Sequence, residues 1–385
     1  MMWNGCGAAS FRACSLCKTS ISRASALGES GVGVVLFHVP GRTYRMKRIY
    51  KLISLLAVVT LLAAACSSDD GDTAAAPAPA ETTEAASDAT EVTLTQSDCD
   101  KTYHVITHGD SGTFWSVVEV AVADAAEAVG CDVVYFGANN DAQAQSQAIE
   151  GAIADGSDGI AISLADPAGL EAAARAVVAA GIPLYTLNSG VNNYKDLGAV
   201  THIGQTEIVA GNGAGERFNA LGATHVLCAR QEQANIGLEE RCQGLAETFD
   251  GQVTSEFVGL DANPDEQEQT IASILTADSS IDAVLGVGPN LPLRALDAAE
   301  SAGRTLHIGG FDLSSDLISA IEAGDIAFTV DQQQYLQGYI PVILMHLQAT
   351  NQNTAGGGLP ILTGPGFVTP DNAAEVAALV SEGTR

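Results

Sequence analysis

The stretch that decides the fold is Gly181 to Gly190, GIPLYTLNSG. Its run Ile182, Leu184, Tyr185, Leu187 is short, almost continuously apolar and flanked by Gly and Pro. That pattern predicts a strand buried on both faces rather than half of a helix. The strand ends on a small polar cluster, and in an open α/β sheet the carboxyl ends of strands face the crevice where ligands bind. Asn188 is therefore the first candidate contact. Upstream, an Ala-rich helical run from Pro167 to Ala180 follows another apolar strand, Gly159 to Leu164. This is one βαβ winding, and the chain repeats it.

Toward the amino end the same alternation predicts strands over 103–107 and 131–136 and helices over 114–129 and 141–154. In the first helix Phe114, Val118, Ala121, Val122, Ala125 and Val129 recur at three- and four-residue intervals and form one apolar stripe. Beyond Gly190 the pattern pauses through a loop. A second series then follows: helix 208–221, strand 225–228, helix 238–249, strand 252–258, helix 264–276, strand 283–287, helix 293–302, strand 307–311, helix 315–323, strand 327–331 and helix 335–348. The fold class is α/β, with two doubly wound parallel-sheet lobes facing across a cleft.

The 385 residues, 46% of them hydrophobic, contain more than one kind of segment. Residues 1–45 are basic and Ser-rich and read as a mis-assigned upstream extension, because Met46 opens what looks like a secretory leader. Met46 to Lys51 is its positive start, Leu52 to Leu62 its apolar stretch, and Ala63, Ala64 and Ala65 its small-residue end. The apolar stretch is too short for a permanent span, so residues 46–65 read as a signal peptide. The Cys66 that follows resembles a bacterial lipobox and is the expected lipidation site; ordinary secretory cleavage is the alternative. Residues 66–100, rich in Ala, Thr, Pro, Asp and Glu, read as an acidic flexible tether. From Cys66 onward 9 Lys and Arg stand against 45 Asp and Glu, a net charge of −36. Such a surface repels nucleic acid and anionic headgroups, so membrane attachment is expected through the lipid anchor only.

Four cysteines remain in an exported chain, where disulfides persist. Cys99 and Cys131 fall at the amino ends of neighbouring strands; Cys228 ends a strand, and Cys242 lies on the helix after it. The expected pairs are Cys99–Cys131 and Cys228–Cys242, out of three pairings that four cysteines allow. A zinc site would want tighter paired spacing and nearby His residues.

From Lys101 to Thr369 the sequence resembles type 1 periplasmic sugar-binding proteins, of the ribose-binding group that feeds ABC importers. The motifs that carry the resemblance are Phe114-Trp115 after the first strand, PLYTLNSG, THIGQ with AGNGAGE (Thr201 to Glu216), ERCQG (Glu240 to Gly244), GGFD (Gly309 to Asp312) and DQQQYLQGY (Asp331 to Tyr339). The resemblance implies a three-strand hinge near Gln205, Asp331 and Leu362. Lobe 1 is then 101–205 plus 332–361, and lobe 2 is 206–331 plus 362–385.

A neutral sugar offers hydroxyls on its edge and C–H patches on its faces, so its site needs aromatic plates and planar polar side chains. Phe114 and Trp115 supply plates, although Phe114, on the apolar stripe, reads equally as core. Asn188 offers an acceptor and two donors; the family commonly has Asp-Arg where this chain has Asn188-Ser189. Asp312 and Gln332 match the family's hydroxyl-binding carboxylate and glutamine; capping the next helix, the alternative role for Asp312, falls more naturally to Ser314 or Ser315. Where the family has an Arg, this chain has Glu239, which makes Asn235, Glu232 and Glu239 the local candidates. Asn290 and Asn263 lie in cleft-facing loops, Asn263 doubling as a helix cap, and His108 and Asp110 either reach the ligand or fix the first loop.

Gly109-Asp-Ser-Gly112 imitates a serine-protease nucleophile but links a strand to a helix. Gly211, Gly213 and Gly215 lack dinucleotide spacing and read as close helix packing. No cofactor, metal or catalytic residue is expected. The expected function is that of a monomeric extracytoplasmic lipoprotein, held to the outer face of the cell membrane or periplasmic, which captures a small neutral sugar or polyol for ABC permease subunits. A sensory or quorum-signal receptor of the same fold is the alternative.

Overall fold

The computed structural model describes residues 99–110, 112–261 and 263–385. The extension, the signal peptide, Cys66 and all but the last two residues of the tether lie outside the described residues.

The first half alternates strand and helix: β1 (Thr102–Thr107), α1 (Gly112–Val129), β2 (Asp132–Gly137), α2 (Ala142–Ala154), β3 (Gly159–Ser163), α3 (Pro167–Ala179), β4 (Leu184–Leu187) and β5 (His202–Gly204). The second continues with α4 (Glu207–Leu221), β6 (His225–Arg230), α5 (Ile236–Thr248), β7 (Gln252–Phe257), α6 (Pro264–Ala277), β8 (Ala283–Gly286), α7 (Leu291–Ser301), β9 (His307–Phe311), α8 (Ser315–Ala323) and β10 (Phe328–Asp331). Then come α9 (Gln334–Asn351), β11 (Ile361–Leu362), β12 (Gly366–Val368) and α10 (Ala373–Ser381). The strands form two six-stranded sheets, ordered β11-β5-β4-β3-β1-β2 and β12-β10-β9-β8-β6-β7. All pairings are parallel except β10 with β12.

The inner strands β3, β4 and β8 are buried at every position, as a sheet covered on both faces requires. Apolar clusters from α1 and α9 fill one face of the first sheet, and clusters from α2 and α3 fill the other. On the second sheet α4 and α5 cover one face, with α6, α7, α8 and α10 on the other. The contact of α4 with α5 explains Gly211 and Gly215, while Gly213 packs on the Phe367 ring. A Cβ on Gly211 would meet the Arg241 carbonyl oxygen at 2.2 Å, and one on Gly244 would meet that of Ile208 at 2.2 Å. Both disulfides have the expected partners, Cys99–Cys131 and Cys228–Cys242.

Three features depart from the sequence reading. The loop expected after Gly190 contains β5, too short at three residues to show a period. Leu362, expected in the second lobe, pairs with Gly204 in the first sheet, so the chain leaves that sheet at Thr363. His346, distant in sequence from every cysteine, places Nδ1 3.3 Å from the Cys131 sulfur. Among the described residues Cys99, Cys131 and His346 gather metal-type ligand atoms, yet the two sulfurs are bonded to each other and offer no thiolate.

The chain passes between the sheets three times: from β5 into α4, from β10 into α9, and from β11 into β12. The crossings touch one another. Thr363 N donates to Gly204 O at 2.9 Å, and Thr363 Oγ1 donates to Gln332 O at 2.8 Å.

Candidate functional site

Parallel strands point their carboxyl ends the same way, and the residues just past those ends converge on one cavity of about 440 Å³. His108 follows β1, Asn188 follows β4, Gln231 follows β6, Asp312 follows β9 and Gln332 follows β10. All five line the cavity. Asn188 and Asp312 hold left-handed backbone, φ 64° and 68°, a conformation that Asn and Asp enter more readily than other non-glycine residues. The cavity volume suits a ligand the size of one sugar ring.

Gln332 joins the two sides. Its Nε2 donates to Asp312 Oδ1 and its Oε1 lies 3.5 Å from Asn188 Nδ2. Asn188 Nδ2 also donates to Gln337 Oε1 at 3.3 Å. The Asp312 carboxyl is buried, and burial pushes its pKa up to about 7 against the pull of Arg241. Arg241 is itself held: Nε and Nη2 donate to the Glu207 carboxylate at 2.7 and 3.1 Å, and Nη1 donates to Val287 O at 2.7 Å. Its guanidinium also lies 4.5 Å from the centre of the Phe311 ring. Among the described residues that line the cavity, Arg241 is the sole Lys or Arg, facing Asp110, Glu232, Asp261 and Asp312.

The aromatic wall comes from the start of α1. Trp115 meets Phe114 and His108 edge-to-face, with ring centres 4.8 Å apart in both pairs. Gly109 makes this possible, since a Cβ there would lie 2.0 Å from Trp115 Nε1. His108 is locked by Ser163, whose Oγ lies 2.7 Å from its Nδ1, and burial lowers its pKa.

Of the residues proposed from the sequence, Phe114, Trp115, Asn188, Asn235, Asn290, Asp312 and Gln332 line this cavity. Phe114 and Trp115 also belong to the core of the first sheet, so the two alternatives for Phe114 are both realised. Asn235 caps α5, its Oδ1 accepting from Gly237 N at 2.9 Å. Ser314 caps α8, leaving the Asp312 carboxyl to the cavity. Glu239 and Asn263 are not brought there. Glu239 sits one residue off the buried stripe of α5 and faces solvent, 3.6 Å from Arg230, while Asn263 is exposed and donates to Glu266 Oε2 at 3.1 Å. Arg241 and Gln231 are lining residues that the sequence reading passed over. The signal for Arg241 was its position: three residues after Leu238 and four before Leu245, on the apolar face of α5, where a charge needs a partner.

Contacts also cross directly between the two halves. Ile236 N donates to Ala165 O at 3.0 Å. Asn192 Nδ2 donates to Glu240 Oε1 at 2.9 Å, and Ser189 Oγ lies 3.1 Å from Asn235 Oδ1. With these in place the cavity lies between the sheets and stays partly open to solvent.

Two doubly wound sheets, three crossings and a polar cavity between them define the two-lobed solute-binding class. Residues 103–353 match the periplasmic binding protein domain, and the chain belongs to that family. It is similar to a carbohydrate transporter from Acidothermus cellulolyticus, solved in complex with myo-inositol, with 37% identity, a TM-score of 0.72, and coverage of 74% of this chain and 99% of that one. It is also similar to the xylose/arabinose-binding protein of Sulfolobus acidocaldarius, 25% identical over 285 residues, 69% of this chain and 70% of the relative. The ribose import binding protein of Haemophilus influenzae is 26% identical over 228 residues, 57% of this chain and 75% of that protein. These relatives are substrate-binding transport proteins rather than enzymes.

Proposed function

We propose that this protein is an extracytoplasmic binding lipoprotein, anchored through Cys66, that closes two lobes over one small neutral polyhydroxylated ring and presents the closed form to an ABC importer. It works as a monomer, and its contribution is conformational. A ligand touching both lobes stabilises the closed state by its differential affinity for that state.

One observation carries the reading: Gln332, on a crossing between the lobes, links Asn188 past the first sheet to Asp312 past the second. A ring bound there meets planar amides and a carboxylate at its edge and the Trp115 plate at its face. The relative with 37% identity was solved with myo-inositol, which supports including cyclitols with pentoses and hexoses in the test. Calorimetric titration of the purified protein against myo-inositol, xylose, arabinose, ribose, glucose and galactose tests this. A single saturable one-to-one isotherm, lost in Asp312→Ala, supports it; no heat from any of them, with the protein shown ligand-free by mass spectrometry, refutes the assignment.

A further inference from the structure

The binding residues are held in place by a residue far from the cavity in sequence. Asp331, the last residue of β10, is 0% exposed. Its Oδ1 accepts from Gln333 N at 2.7 Å, and its Oδ2 accepts from Arg385 Nε at 2.6 Å. Gln333 has left-handed backbone, φ 54°, so the carboxylate pins a turn that an unaided Gln rarely adopts. Gln332 stands between Asp331 and that turn, and its side chain is the link between Asn188 and Asp312. Without Arg385, Asp331 would be a buried carboxylate with no cation, free to rotate away from Gln333 N.

The geometry points to Arg385 as a positioning residue for the binding site: it orients Asp331, which fixes the β10 to α9 crossing and so aims Gln332 at the ligand. The inference rests on the binding reading for its affinity arm only.

The test compares the full chain with Arg385→Ala and Arg385→Lys in two measurements. Amide hydrogen exchange is followed over residues 331–337 without ligand, and affinity is measured for myo-inositol, or for whichever sugar of the panel binds. Arg385→Ala is expected to speed exchange at Gln333 and Gln334 at least tenfold and to weaken binding about tenfold; Arg385→Lys, which keeps the cation, restores both to within about threefold. A merely structural loss would lower the melting temperature and would not be rescued selectively at these amides. Unchanged exchange in Arg385→Ala overturns the inference even if no sugar binds, and unchanged affinity in a protein that does bind overturns it as well. A panel that fails to bind, with exchange accelerated and rescued, removes the ligand assignment and leaves Arg385 as the residue that fixes the crossing.

Discussion

Asn188 and Asp312 occupy one position in two copies of the same architecture. The sheet orders β5-β4-β3-β1-β2 and β10-β9-β8-β6-β7 match strand for strand, and each residue is the first beyond the equivalent strand, β4 or β9, with φ near +65°. The site is thus built from a repeated turn, an amide on one lobe and a carboxylate on the other. Gln332 between them has its own counterpart in Gln205, the residue after β5.

Removing either member should weaken binding without unfolding the protein. Asn188→Ala removes an amide from the cavity and Asp312→Asn exchanges a carboxylate acceptor for an amide donor, and on the proposed reading titration calorimetry should register about a tenfold to hundredfold loss, the range for hydrogen bonds to buried or charged groups. Retention of wild-type affinity in both would place the ligand elsewhere.

Stability should respond to pH in opposite senses through two groups. Asp312 titrates near 7 when folded, raised from 3.8; the native state holds its proton longer, so this contribution is present below about pH 4 and lost as pH rises through 7. His202 is lowered to about 4 by burial; the unfolded chain takes up that proton first, so its contribution is full above 6.5 and lost as pH falls toward 4. Each amounts to roughly 3 to 4 kcal/mol. Scanning calorimetry of ligand-free Asp312→Asn at pH 8 should therefore show a melting temperature several degrees above wild type, and the fall in stability between about pH 4 and 7 should flatten.

Closure can be obstructed selectively at Gly237. A Cβ there would stand 2.7 Å from Ser189 Oγ across the lobe boundary, whereas an alanine in the first turn of α5 favours the helix itself. Gly237→Ala is expected to melt no lower than wild type while binding several-fold more weakly, read by thermal scans and titration on the same preparation.

Glu207 and Arg241 form a fully buried pair, 0% and 3% exposed. Glu207→Gln leaves a guanidinium in the core without its counter-ion, which costs roughly 3–5 kcal/mol. Urea unfolding should show that loss, and Arg241→Met in the same background should recover part of it.

Charge selection follows from the lining. With Arg241 occupied by Glu207 and four carboxyl groups around the cavity, a ring bearing phosphate or carboxylate is repelled. Inositol monophosphate or glucuronate in tenfold excess should leave the titration of the neutral ring unchanged; competition by either would contradict this account of the lining.

The alternation of strands and helices was legible because inner parallel strands are apolar throughout and their helices carry stripes, as with Gly159–Ser163 and Pro167–Ala179. Asn188, just past a strand end, could be named for the same reason, whereas Asp312 was named from the family resemblance. Short pieces escaped: β5 and β11 have three and two residues and take their place from neighbours rather than from any period. Glu239 was favoured from a family position, but helix geometry turns it outward and turns Arg241, two residues on, inward. Asn263 was chosen for its loop, and loop position alone does not tell which way a side chain points.

The edge strand β11 gives the molecule a particular order of assembly. Residues 361 and 362 complete the first sheet only after every parallel strand of the second has been made. A chain growing from its amino end therefore keeps one edge of β5 unpaired until residues 361 and 362 have been made. The first sheet, although begun first, is completed only after β10 of the second, and a fragment stopping at Asp331 would carry that open edge and lack α9 across its core. Each sheet thus takes one outermost strand from residues 361–368, beyond the last crossing helix.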